Sequence, residues 1–89
     1  MKNLEEVKRI INIYRKELEE KFKVKSIAIF GSYARGEQTS QSDIDIIVEF
    51  KEPVGMLFNS SCRFFLEEIL GIKVDLVTPE AIKKIGLNT

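Results

Sequence analysis

Apolar residues recur at intervals of three and four near the start of this chain: Leu4, Val7, Ile10, Ile11, Tyr14, Leu18 and Phe22. That period predicts one amphipathic helix over residues 3–22, with Asn3 as cap and Glu6 completing a capping box. Glu5, Lys8, Arg9, Glu19 and Glu20 form its solvated face. The pattern then changes. "KSIAIF" (25–30) reads as a short strand that Gly31 breaks. "DIDIIVEF" (43–50) alternates, placing Ile44, Ile46 and Val48 on one face and Asp43, Asp45 and Ile47 on the other. Between the two strands, "YARGEQ" can supply a helical turn before a "TSQS" loop. Pro53 fits the start of a second helix, continued by "VGMLFNSSCRFFLEEIL". Its core stripe is Phe58, Cys62, Phe65, Leu66 and Ile69, and Gly71 is placed to end it. "IKVDLV" (72–77) is a third strand, Thr78 and Pro79 open a last helix, "PEAIKKI", and "GLNT" reads as a frayed end. This order of elements predicts an α+β fold in which helices pack against a small sheet.

Composition narrows the chemistry. The 89 residues make a single domain, 1–89, with one modest core. No run approaches the length of a membrane span, the charged start does not resemble a signal peptide, and one cysteine, Cys62, suits a reducing compartment. The expected location is cytoplasmic. The absence of histidine excludes a Ser-His-Asp or Cys-His nucleophile system and a zinc site built on histidine. What remains is oxygen: carboxylates, hydroxyls and amides, the ligand set of Mg²⁺. A formal net charge of zero argues against broad non-specific nucleic-acid binding. Charge is unevenly spread, since residues 26–50 hold only Arg35 against Glu37, Asp43, Asp45 and Glu49. An acidic centre of this kind calls for a cation.

Three local features carry the candidate chemistry. Gly31-Ser32 directly follows a strand, where a glycine permits close backbone approach or a strained angle and the next amides can face a phosphate. A plain turn would look the same. Asp43-Ile44-Asp45 puts two carboxylates on one strand face, roughly 7 Å apart at the backbone. Aspartate is a poor strand former, and the two repel each other unless a cation intervenes. Asp75 sits inside "KVDLV" and emerges on the same sheet face if Val74 and Leu76 pack against the helices. Each aspartate alone could be an outward polar residue; three on one face form a two-metal cradle.

In order and spacing these features resemble a known family. Gly-Ser, ten residues, then Asp-x-Asp is the pattern of the nucleotidyltransferase superfamily typified by DNA polymerase beta. "GSYARGEQTSQSDIDIIVEF" followed by "GIKVDLVTPEAI" is similar to its minimal nucleotidyltransferase (MNT) domains. The resemblance implies the polymerase beta-like fold, a small mixed β-sheet with helices packed on one face. It implies that Gly31 and Ser32 contact the triphosphate of ATP, that Asp43 and Asp45 bind two Mg²⁺ ions, and that Asp75 binds the catalytic ion and takes the acceptor's proton. Arg35 would meet phosphate oxygens or the acceptor; alternatively it is a surface charge tied to Glu37. MNT proteins resemble antitoxins that transfer AMP to a tyrosine of a HEPN ribonuclease toxin, so that toxin is the expected partner. Two other readings stay open: an antitoxin acting by binding alone, and an enzyme modifying a small molecule or RNA after self-assembly. Met56, Leu57, Phe64 and Leu87 are read as a second layer of core, or else as a partner surface.

Overall fold

The computed structural model describes residues 2–84, and it orders eight elements along the chain. These are α1 (Leu4–Ile13), α2 (Arg15–Lys21), β1 (Val24–Phe30), α3 (Gly31–Arg35), β2 (Ile44–Phe50), α4 (Met56–Leu70), β3 (Val74–Val77) and α5 (Pro79–Lys84). The capping box forms as the sequence requires. The Asn3 side chain accepts from the Glu6 amide at 2.9 Å, and the Asn3 amide donates back to the Glu6 carboxylate at 3.4 Å.

The leading helix is not continuous. It breaks at Tyr14, whose backbone leaves the helical range and caps α1 while opening α2. The break turns the Tyr14 ring edge-on to Phe65 of α4, with centroids 5.8 Å apart. Val7 and Ile11 are buried from α1 and Leu18 from α2, whereas Ile13 is left exposed. The start of α4 also differs from expectation, since Gly55 rather than Pro53 precedes the first turn. A 2.6 Å pair between Lys23 and Glu52 lies on the surface just before this turn.

The sheet order is β1-β2-β3, with β1 antiparallel and β3 parallel to the central β2. A parallel pair needs a crossover, and α4 supplies it. Ile44, Ile46 and Val48 of β2 are fully buried and Val74 of β3 is nearly so, in one core with Cys62, Leu66 and Leu70 of α4 and the apolar residues of α1 and α2. Burial raises the Cys62 thiol to a pKa of about 11, so the cysteine is a small core side chain rather than a nucleophile.

By alternation Ile44, Ile46 and Val48 share the buried sheet face, and Asp45 and Asp75 lie on the other face with Ile47 and Val77. The expected second core layer does not form. Met56 and Leu57 are each 85% exposed and Phe64 is 57% exposed, because all three lie off the Cys62–Leu66–Leu70 stripe. Leu87 and the "GLNT" end fall outside the described residues. No described helix is long and apolar enough to cross a membrane.

These positions separate core from surface in a measurable way. Leu66→Ala should cost about 2–5 kcal/mol in urea unfolding, as a buried leucine that leaves a cavity does. Leu57→Ser should stay within about 0.5 kcal/mol of the parent protein.

Candidate active site

Register assembles the site. Asp45 on β2 pairs with Asp75 on β3, and on its other side with Phe30 at the end of β1. Their neighbours Ile44, Ile46 and Val74 point into the core, so alternation sends Asp45 and Asp75 together to the open face. Asp43 directly precedes β2 rather than lying within it, and it is exposed.

Gly31 closes the site from the β1 side. It begins α3 with φ at +72°, where a side chain would be strained. A Cβ at this position would also overlap the Asp45 Oδ2, and would stand 3.1 Å from its Cγ. Glycine is needed twice over: for the angle, and because the backbone lies against a carboxylate. Ser32 follows in the first turn of α3, where amides lack intrahelical acceptors. Gly36, at φ +72°, ends that short helix.

The electrostatics follow from this crowding. The Asp45 carboxyl is raised above its ordinary pKa of 3.8, first by burial, then by the charges of Asp75 and Asp43 and a side-chain hydrogen bond with Asp75. Arg35 acts in the opposite direction on Asp45. The Arg35 guanidinium itself is exposed and bonded to Glu37 at 2.8 Å, the surface pair that one of the two readings of this residue expects.

Asp45 and Asp75 thus form a close pair with Asp43 beside it. Among the described residues, no three His, Cys, Asp or Glu side chains converge into a finished cation site. The donors that are present, all carboxylate oxygens whose repulsion a cation would relieve, fit a hard divalent ion.

Sequence reasoning passed over two residues of this face. Phe30 lies opposite Asp45, which is visible only once the β1–β2 register is known. Lys73, two positions before Asp75, could have been placed on the same face by alternation.

The profile of the nucleotidyltransferase domain family matches residues 11–88. The chain belongs to this family. Among its relatives, a Methanocaldococcus jannaschii protein provisionally named protein adenylyltransferase MJ0126 is 54% identical over 92% of this chain and 84% of its own length. Protein adenylyltransferase MntA of Thermococcus cleftensis is 43% identical over 93% of this chain and 84% of its own.

Solved structures agree on the fold. A structure described provisionally as a minimal nucleotidyltransferase superposes with a TM-score of 0.72 at 28% identity, covering 94% of this chain and 90% of that one. A toxin–antitoxin crystal structure with AMP-PNP superposes at 0.64 and 32% identity, covering 81% of this chain. A tri-AMPylated Shewanella oneidensis HEPN toxin in complex with MNT antitoxin superposes at 0.56 and 27% identity, over 84% of this chain. The chain spans 56% and 54% of the matched chains in those two complexes. The small mixed sheet is therefore that of the minimal nucleotidyltransferases, as the sequence pattern implies.

Two measurements test the site without any reaction. The raised pKa means that the folded protein holds the Asp45 proton more tightly than the unfolded chain does. This contribution to stability is complete below the ordinary value and is lost as pH rises through the raised one. Asp45→Asn should therefore melt higher than the parent at neutral pH without divalent ions, with the gap narrowing on acidification. Gly31→Ala should destabilise by more than about 1 kcal/mol, and Gly31→Ala combined with Asp45→Gly should recover part of that loss if the overlap matters.

Proposed function

We propose that this nucleotidyltransferase domain is a protein adenylyltransferase that moves AMP from ATP to a hydroxyl, most simply a tyrosine, of a HEPN-type toxin, and so acts as its antitoxin. The observation that carries the reading is the side-by-side register of Asp45 and Asp75, with Asp43 adjacent and the Gly31 backbone against Asp45. Names of relatives and of neighbouring complexes support the acceptor class.

In this reading Gly31 and Ser32 hold the triphosphate at the β1 edge of the site. The acceptor oxygen, beside Asp75, attacks the α-phosphorus while the bond to the bridging oxygen breaks and pyrophosphate leaves. Asp75 takes the hydroxyl proton. Asp43, Asp45 and Asp75 would hold two Mg²⁺ ions, whose chemistry is to neutralise charge on the phosphate oxygens. Arg35 reinforces that neutralisation once it releases Glu37. Positioning supplies much of the rate, because the acceptor and the phosphorus are fixed in one geometry.

The exposed Met56, Leu57 and Phe64 favour a partner surface on α4. The cytoplasm is the matching compartment.

Incubation with labelled ATP, Mg²⁺ and a HEPN toxin should label the toxin and release pyrophosphate. Asp45→Asn and Asp75→Asn should each lower transfer by at least about a hundredfold while the fold is kept. A stable toxin complex that never acquires label would reduce the protein to a binder, and label on a small molecule or RNA alone would reassign the acceptor. EDTA should abolish transfer, with Mg²⁺ restoring it.

A further inference from the structure

Among the described strands, the one that carries Asp75 has a neighbour on one side only. β3 is the outermost of the three, and β2 covers its inner edge. Along a strand, the N–H and C=O groups of successive residues point alternately to either side. The Ile44 amide donates to the Lys73 carbonyl at 2.8 Å, so the groups of Lys73 and, two residues on, of Asp75 face β2. The N–H of Val74 between them faces the outer edge, where no described strand can accept it. Val74 is nearly buried, and a shielded amide without an acceptor costs about as much as a lost hydrogen bond.

Glu67 supplies the acceptor. Its Oε2 accepts from the Val74 amide at 2.9 Å and from Nη1 of Arg63, one turn earlier in α4, at 3.3 Å. Arg63 is held in turn over the Phe64 ring, with its guanidinium carbon 4.5 Å from the centroid. The Glu67 side chain is 24% exposed, the least of any carboxylate in the described ion pairs, so solvent screens these bonds little. Amide bonds to a carboxylate are among the stronger hydrogen bonds. This one falls directly before Asp75, at the leading end of a strand of only four residues. Repulsion between Asp45 and Asp75 tends to part β2 and β3 at the same place. The bond to Glu67 ties β3 to a helix whose buried stripe shares one core with both strands.

We infer that Glu67 is a positioning residue: through the Val74 amide it sets where Asp75 stands relative to Asp45. This rests on the transferase reading above, in which Asp75 takes the hydroxyl proton, and it gives a role to a side chain outside that machinery. The triphosphate is assigned to Gly31 and Ser32 after β1, on the far side of β2 from β3. Loss of Glu67 therefore displaces the proton acceptor and leaves the seat of the nucleotide in place. The expected signature is a fall in kcat with the KM for ATP kept.

Three variants isolate this role. Glu67→Ala removes the acceptor, Glu67→Gln keeps an acceptor oxygen without the charge, and Leu18→Ala, a core substitution on α2, shows what lost stability alone does. AMP transfer to a HEPN toxin with ATP and Mg²⁺ is measured below the melting transition of every variant. Glu67→Ala should lower kcat about tenfold or more, with the KM for ATP within about twofold of the parent. Glu67→Gln should recover most of kcat, and Leu18→Ala should keep it. Amide exchange followed by NMR gives a second readout that needs no reaction. In Glu67→Ala the Val74 amide, and the Ile44 amide that bonds across to Lys73, should exchange about tenfold faster, with Glu67→Gln close to the parent. A parent-like kcat in folded Glu67→Ala would overturn the inference. So would an equal loss of kcat in Glu67→Gln or in Leu18→Ala, or an Ile44 amide whose exchange Glu67→Ala leaves unchanged. If Glu67→Ala does not fold, Glu67→Asp, which keeps the charge and shortens the reach, is read in its place against the same outcomes. If the parent transfers no AMP, the transferase reading fails by itself, and exchange at Ile44 still decides whether Glu67 holds the strand that carries Asp75.

Discussion

Repulsion between Asp45 and Asp75 is the constraint around which this domain is built. The parallel register of β2 and β3 makes them neighbours and Asp43 adds a third negative charge; burial first, and these charges next, raise the Asp45 pKa, and Arg35 acts against them. Such an arrangement weakens the metal-free sheet. It is tolerated because the opposite face of the same strands carries Ile44, Ile46, Val48 and Val74, all packed against the helices. The stability comes from one face and the chemistry from the other, and strand alternation keeps the two apart.

Gly31 joins β1 to the open face. It ends β1, starts α3 and brings its backbone against the Asp45 carboxylate, so the element assigned to the triphosphate and the element assigned to the metal ions are held in direct contact. A side chain at this point would separate them. The crossover helix α4 performs a second linkage: it places β3 parallel to β2, without which Asp75 would not meet Asp45. Sites distributed over several short elements rely on rigid supports of this kind.

The surface of α4 carries Met56, Leu57 and Phe64 outward, although a chain of this length has little apolar material to spare. These exposed apolar side chains are the ones assigned to the proposed partner surface.

Much of this was legible in the sequence because it depends on local rules. The period of three and four identified the helices, alternation separated Ile44, Ile46 and Val48 from Asp45, and Asn3 with Glu6 set the first cap. The Gly-Ser and Asp-x-Asp spacing pointed to the family. Other features were closed to sequence because they arise from contacts between distant residues. The contact of Tyr14 with Phe65, some fifty positions away in the chain, and the pairing of Lys23 with Glu52 are examples. The exposure of Met56 and Leu57 depends on which face of α4 the sheet occupies. Residue order alone determined which side chains could share a strand face. Tertiary structure decided which strands became neighbours, and hence that Asp45 faces Asp75 and Gly31 touches Asp45, because register between strands is set by packing over the whole core rather than by any one segment.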